Sequence, residues 1–268
     1  MNKFRKIKSR MKWLLLTLLS VLMVISFTSV SYAEWSYGLG TGLFRLNIDG
    51  DIGLDTIQGA IQMDVDLDDD DISDLMESAF GLGGYATDGT WMIRFSFGHM
   101  ALEGDGNGTL PNGLTTVNAE LGFDVLGGEI LVGYPVYQGS SFTVQLDGGV
   151  RYTKHEIEWD IVFAGAINAY TNRDIDESWT DFLIGGTVTV PFTKEWIWNT
   201  SANAGFGGSE GTYMGYTGLT WYFYKNWSGT LYSKYTAVDF ENGSKGDTDW
   251  YLYDVDEFGL GINILYNF

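Results

Sequence analysis

Hydrophobic and polar side chains alternate along many stretches of this chain, most clearly in residues 258–268. The even positions of this stretch are all apolar or aromatic, and the odd positions, apart from Leu265, are glycine or asparagine. Because successive side chains of a strand point to opposite faces, the pattern predicts a strand with one wholly apolar face. It ends on the aromatic Phe268, whereas chain ends usually fray unless they are paired. We therefore expect this strand to close a barrel against the first strand, with its apolar face in lipid.

Comparable alternation predicts nine further strands. The connections after the second, fourth, sixth and eighth strands are short, and most of the others are longer, as expected of an outer-membrane barrel with a periplasmic N-terminus. We predict an all-β fold, a transmembrane antiparallel up-and-down β-barrel of about ten strands, with eight or twelve if residues 61–67 pair or two weak strands fail. The predicted strands are residues 35–48, 80–87, 90–102, 114–137, 142–160, 177–192, 196–207, 212–224, 227–240 and 249–268.

The fourth predicted strand changes its hydrophobic phase along its length. Its apolar residues occupy odd positions up to Val125 and even positions from Ile130 onward. An extra residue in one strand shifts the alternation by one, so we predict a β-bulge near Gly127 and Gly128.

The connection that follows the first strand contains a short helical pattern. Ile72, Leu75 and Met76 recur at helical spacing, behind a candidate N-cap at Asp70 or Asp71. We predict a short helix in the first extracellular loop, whose apolar stripe folds over or into the barrel mouth as a plug. The acidic run at residues 64–71 lacks the glycine and distal glutamate of an EF-hand. We therefore interpret it as a solvated surface with a helix cap, and Ca²⁺ binding is the alternative.

The N-terminal residues form a targeting segment. Six basic residues precede an apolar run at residues 13–27, and Ser31-Tyr32-Ala33 follows as a small-residue cleavage site. The pattern predicts a cleaved signal peptide at residues 1–33; the alternative, an uncleaved membrane anchor, is disfavoured because the run is short. Residues 34–268 then form one domain, and no later run is long enough for a membrane helix.

Charge and composition narrow the classes of partner. Removing the signal leaves nine basic residues against 35 acidic ones, a net charge of −26. This balance argues against nucleic acid and anionic surfaces as partners. The chain has no cysteine, so no disulfide supports an exported fold. Aromatic residues make up 16% of the chain, which suits the two interfaces of a membrane.

The positions opposite the apolar ones form a predicted lumen-facing set that contains charges. An isolated buried charge is very costly, so these charges are expected to pair or to be hydrated. A packed ion-pair network is preferred over a pore lined by mixed charges, because barrels of about eight strands are filled by their own side chains. The predicted network is Arg94, Glu120, Asp124, Asp147, Arg151 and Lys234.

Several segments together carry a resemblance. These are the alternating first strand, the acidic stretch at residues 64–76, Trp179-Thr180-Asp181, the segment at residues 203–208, and Phe268. The mature chain resembles uncharacterised bacterial outer-membrane β-barrel proteins of similar length. The resemblance implies the outer membrane of a diderm bacterium, with membrane lipid and lipopolysaccharide as surroundings. It also implies that Tyr266 and Phe268 form a C-terminal signal read by the barrel assembly machinery.

The two histidines do not supply a recognisable catalytic motif. His99 shares the parity of the outward aromatics on its strand, and His155 lies beside Lys154 and Glu156. Omptin proteases pair Asp with His, and lipid A deacylases use Ser and His, but this chain matches neither motif. A base must lie within hydrogen-bond reach of its nucleophile or water. We therefore expect that the protein is not an enzyme and that it has no catalytic residues, metal site or cofactor.

The sequence leaves the function open between a few classes. We expect a structural or surface-interaction protein with a largely plugged lumen. The alternative is a narrow, porin-like passive channel for small solutes, and an outer-membrane hydrolase ranks third.

Overall fold

The computed structural model describes residues 35–56, 59–109, 115–165, 169–247 and 249–268. The predicted signal peptide at residues 1–33 lies outside the described residues. The described chain forms these elements in order: β1 Ser36–Thr56, β2 Gly59–Leu67, α1 Asp69–Leu75, β3 Met76–Thr87, β4 Met92–Thr109, β5 Thr115–Gln138, β6 Thr143–Gly165, β7 Ala169–Pro191, β8 Trp196–Phe206, β9 Gly211–Tyr224, β10 Trp227–Asn242 and β11 Tyr251–Asn267.

The strands form one closed antiparallel barrel. From β3 to β11 each strand pairs with its neighbour in sequence, and β11 pairs with β1 to close the sheet. β2 pairs with the second half of β1, and β3 pairs with its beginning. β2 and β3 therefore share one position in the wall, which gives the predicted ten-stranded barrel. Closure pairs the first and last strands with each other, whose free edges would otherwise invite aggregation.

The predicted short helix lies within the wall. α1 interrupts the descending strand that β2 begins and β3 continues. Asp68 is its N-cap and accepts hydrogen bonds from the backbone N–H groups of Asp70 and Asp71. Three aspartates occupy its first turn, where negative charge favours a helix N-terminus.

Two predictions about the strands are wrong, one on a bulge and one on two loops. Gly127 and Gly128 pair in unbroken register with β4 and β6, so no bulge occurs there; the irregularity of β5 lies between Pro135 and Tyr137. The predicted loops at residues 103–113 and 161–176 are largely strand, because β4–β5 and β6–β7 continue as long hairpins. Cross-strand hydrogen bonds hold these hairpins although their faces mix polar and apolar residues, so no clear apolar alternation marks them.

The ends of the barrel differ in their connections. At the end called lower here, the turns between β3–β4, β5–β6, β7–β8 and β9–β10 are short. In the first of these turns, Asp88 accepts hydrogen bonds from the backbone N–H groups of Thr90 at 2.8 Å and Trp91 at 2.6 Å. These bonds favour the carboxylate and lower the pKa of Asp88. The opposite, upper end carries the long hairpins.

The outer face is apolar in a band between the two ends. Near the lower rim, Trp196 and Trp221 stack with ring centroids 5.5 Å apart, and Trp227 meets Tyr266 at 5.1 Å. No helix in the described part of the chain has the length and apolar character to cross a bilayer. Exposed apolar residues of the band include Leu43, Phe80, Ile130, Val132, Leu146, Phe182, Ile184, Leu231, Phe258, Leu260, Ile262 and Ile264.

The apolar core lies inside the upper half of the barrel. Its most buried members are Tyr251 and Ile72, with 0% and 1% of their surface exposed. Ile72 anchors α1 in this core, and Leu75 and Met76 pack against it. The other core residues are Ile48, Leu54, Leu102, Ile157, Trp179, Val238, Phe240, Tyr253 and Val255.

We predict that Ile72→Ala lowers the free energy of unfolding by about 3 kcal/mol, because it leaves a cavity under α1. Val162→Ala, at an exposed site on β6, is the control and should change it by less than about 0.5 kcal/mol. Urea unfolding of the refolded protein, followed by tryptophan fluorescence, measures both. Equal losses would contradict the burial of Ile72.

Candidate functional site: the barrel interior

Ion pairs occupy the middle of the lumen. Arg94 on β4 contacts Asp147 on β6, with 2.6 Å between Nη2 and Oδ1. Thr187 on β7 links the two, because its hydroxyl donates to Asp147 at 2.6 Å and accepts from Arg94 at 2.9 Å. Asp147 is fully buried, so its charge depends on this pairing.

A second ion pair lies closer to the upper end of the barrel. Arg151 on β6 donates two hydrogen bonds to Glu129 on β5, at 3.0 and 2.6 Å. Its Nη2 atom also lies 3.3 Å from the sulfur of Met214 on β9, so the guanidinium reaches across the lumen. Lys234 belongs to the same interior and lies opposite Tyr216 and Gly259 in the ladder.

Two members of the predicted charge network are not in the lumen. Glu120 and Asp124 were assigned inward through the predicted bulge, and the unbroken register of β5 places them outward. Asp124 pairs in the ladder with Glu156, on the same outward side as Lys154. The carboxylate that sequence reasoning missed is Glu129, which shares the parity of the buried Leu131. Counting alternate positions from Leu131 without a bulge would have found it.

The seam between β1 and β11 is packed with aromatic rings. The ring of Phe44 lies against Gly259, and the ring of Tyr232 against Gly261, so a side chain at either glycine would overlap a ring. The two rings stack with centroids 5.9 Å apart and an interplanar angle of 8°. The glycines of β11 therefore make room for these rings, and the rings fill the seam.

A buried carboxylate organises the turn between β8 and β9. Asp181 on β7 accepts hydrogen bonds from the backbone N–H groups of Gly208 and Ser209 and from the hydroxyls of Ser209 and Thr212, at 2.8–3.0 Å. Four donors satisfy the carboxylate. This bonding draws the turn at residues 207–210 against the barrel and gives Asp181 a structural role.

The two histidines lie in different environments, one buried in the core and one on the outer face. His155 is buried in the upper core, where its Nδ1 lies 2.7 Å from the hydroxyl of Tyr251. The rings of Phe123, Trp179 and Tyr253 surround it, with centroids at 5.1, 4.9 and 4.5 Å. Such a site favours the neutral imidazole, because a charge there would be desolvated. His99 faces outward on β4, opposite Phe80.

The acidic run and the C-terminal residues have clear neighbours. Asp69 and Asp70 bind Arg45 of β1 at 2.5 and 3.1 Å. Across the described ranges, no group of three or more acidic or histidine side chains is arranged to hold a metal ion.

The C-terminal residues are held against neighbouring strands. Tyr266 packs on Trp227 and Phe268, and the backbone N–H of Phe268 donates to the carbonyl of Tyr37 at 2.8 Å.

A closed antiparallel barrel with an apolar outer band and a side-chain-filled interior is the architecture of bacterial outer-membrane proteins. Neither the protein-family models nor the curated proteins contain a match to this sequence. Among solved structures, the barrel is similar to outer membrane protease OmpT from Escherichia coli, with a TM-score of 0.50, 7% identity, 90% of this chain and 100% of that chain covered. The translocator domain of the autotransporter NalP from Neisseria meningitidis gives a TM-score of 0.45 at 10% identity, covering 94% and 95%. The sheet topology and the similarity to OmpT together show that the chain has the fold of a bacterial outer-membrane β-barrel protein.

We predict that Asp147→Asn destabilises the barrel by about 3 kcal/mol, because it leaves the guanidinium of Arg94 without its buried counter-charge. Asp124→Asn makes the same change on the outer face and should cost less than about 0.5 kcal/mol. Urea unfolding of both refolded variants tests this. A larger loss for Asp124→Asn would favour the sequence-based network over the observed one.

Proposed function

We propose that this protein is an integral outer-membrane β-barrel with a structural or surface-interaction role and a lumen closed by its own side chains. The observation that carries the proposal is the apolar core inside the upper half of the barrel, around Tyr251, Trp179 and Ile72. A solute moving along the barrel axis would have to displace these packed side chains. Below the core, the Arg94–Asp147 and Arg151–Glu129 pairs narrow the path further.

The apolar outer band supports placement in a membrane. Ile262, Leu231 and Leu219 follow one another across three paired strands and face outward, so the band is continuous around this wall. A water-soluble barrel would not leave such a surface exposed. Export through a cleaved segment at residues 1–33, delivery by the barrel assembly machinery, and contact with lipopolysaccharide belong to the same proposal.

The upper hairpins support a role at the cell surface. β5, β6 and β7 have 24, 23 and 23 residues, whereas a membrane strand needs about 10. Their excess length projects above the apolar band and carries the outward acidic residues. On this surface Lys154 bridges Glu156 and Asp176. A rigid acidic hairpin of this kind suits contact with basic partners or divalent cations.

We regard the protein as non-enzymatic. His155 is enclosed by aromatic rings and bonded to Tyr251, and within the described ranges its ring has no carboxylate partner. A general base needs a substrate or water within reach, and this site offers a packed core instead.

We predict that the refolded protein, residues 34–268, shows no steady conductance in a planar lipid bilayer. Trp179→Ala, which removes a core ring, should introduce conductance, and Phe182→Ala, on the outer face of the same strand, should not. Steady conductance of the unaltered protein would favour the channel alternative. Silence of Trp179→Ala would indicate that other core residues suffice to close the axis.

We also predict that residues 34–268 require detergent or lipid to stay monomeric. Analytical ultracentrifugation with and without detergent tests this expectation. A soluble monomer in plain buffer would exclude the membrane placement.

A further inference from the structure

The barrel wall is interrupted between β1 and β3. Their ladder ends at the pair Gly40–Gly83, and pairing of β1 resumes with β2 at Ile48–Leu67. Over residues 41–47, β1 therefore pairs with β11 alone; over residues 76–82, β3 pairs with β4 alone. No other strand of the described chain pairs with either edge. We call this interruption the lateral slot.

The lateral slot has a side-chain contact at each end. At its lower end the hydroxyl of Thr41 donates to the carbonyl of Gly81 at 2.5 Å. At its upper end Arg45 reaches Asp69 and Asp70 of α1. α1 lies between β2 and β3 in the chain and ends at Leu75, directly before the unpaired stretch of β3.

The lateral slot opens within the apolar band. Leu43, in the middle of the β1 edge, pairs with the outward-facing Ile262 and has 84% of its surface exposed. Phe80, on the β3 edge, is also exposed to the outside. Unpaired backbone in the hydrocarbon region is tolerated only where it lines a cavity or is buried in protein. The two edges therefore call for an internal space behind them.

A row of glycines without side chains lies directly inside the β3 edge. Gly81, Gly98 and Gly127 are paired in one row across β3, β4 and β5, on the inner face. A Cβ added at Gly81 or Gly98 would meet only a backbone oxygen, at 3.9 or 3.8 Å, and one at Gly127 would meet nothing within 4 Å. We call this row the glycine shelf. It is a flat backbone surface at which an added Cβ would be free of side-chain contacts.

The surroundings of the glycine shelf are apolar above and polar below. The next inward residues toward the upper end are Met100 and Val125, which are paired with each other. Toward the lower end they are Ser96 and Glu129, and the carboxylate of Glu129 is already bound to Arg151. The shelf thus offers a flat contact surface. Apolar side chains border it on the upper side, and a paired arginine and glutamate border it on the lower side.

We propose that the lateral slot admits a small, flat, apolar molecule from the bilayer and that the glycine shelf binds it. The opening faces hydrocarbon, which selects apolar molecules, and the bare backbone of three glycines fits a planar ring system. The core around Tyr251 closes the axial route above the shelf, so entry is sideways through the wall. This inference rests on the membrane placement proposed above, and it does not depend on whether the axis conducts.

The shelf is tested with the dye N-phenyl-1-naphthylamine and the protein in lipid nanodiscs. After subtraction of empty nanodiscs, the dye should show saturable fluorescence enhancement. Gly127→Leu places a side chain over the shelf at a position where an added Cβ meets nothing within 4 Å, and it should weaken binding at least tenfold. Gly215→Leu is the matched control, because Gly215 also has nothing within 4 Å but faces outward, and it should bind as the unaltered protein does. Equal binding by all three proteins, or no saturable binding, would overturn the proposal.

The slot is tested separately with paired cysteines, which the chain otherwise lacks. Leu43 and Phe80 would face each other if the β1–β3 ladder continued, whereas Leu43 and Ile262 are paired in the structure. The double variant L43C/I262C should therefore form a disulfide on mild oxidation, and L43C/F80C should form at least tenfold less. Equal oxidation would mean a closed wall and would overturn the lateral entry. Neither readout changes if the bilayer conductance result contradicts the closed axis, so the two proposals fail independently.

Discussion

The fold depends on the pairing of backbone hydrogen-bond groups in a wall that has lipid on one side. Each strand must find partners on both of its edges, since hydrocarbon offers none. Eleven strands achieve this by closing β11 onto β1. Within the apolar band of the described chain, the requirement is relaxed beside α1, and there the free edges border the row of glycines inside the barrel. The unpaired stretch is short, and the need to pair backbone groups away from lipid explains why the barrel closes on both sides of it.

The interior is divided by chemistry along the barrel axis. Paired arginines and carboxylates occupy the middle, where Asp147 and Glu129 neutralise Arg94 and Arg151. Above them the interior becomes a conventional apolar core, enclosed by the long hairpins. A protein that lacks disulfides gains stability here in the way a soluble domain does, by burying Trp179, Phe240 and Tyr251 against one another.

Much of this could be read from the sequence, and the failures have definite causes. Alternation gave the strands and their outward faces, because lipid outside and side chains inside enforce a period of two. It also predicted that Arg94, Asp147, Arg151 and Lys234 face the lumen. It failed for Glu120 and Asp124, because in the hairpins above the band both faces are mixed and the apolar phase no longer reports direction. It failed for α1 as well: the helical stripe of Ile72 and Leu75 was visible, but its position inside a wall strand depends on pairing between β1 and β2. The glycine row across β3, β4 and β5 carried no signal, because its members become neighbours only through register.

The two halves of β11 are held in the barrel by different side chains. Gly259 and Gly261 contribute no side chains, and the rings that cover them belong to Phe44 on β1 and Tyr232 on β10. In the upper half of the strand, Tyr251 and Tyr253 are themselves buried in the core. The joint between the last strand and the first is therefore fixed by its neighbours' rings below and by its own rings above, so a loosening of either half would leave the other in place.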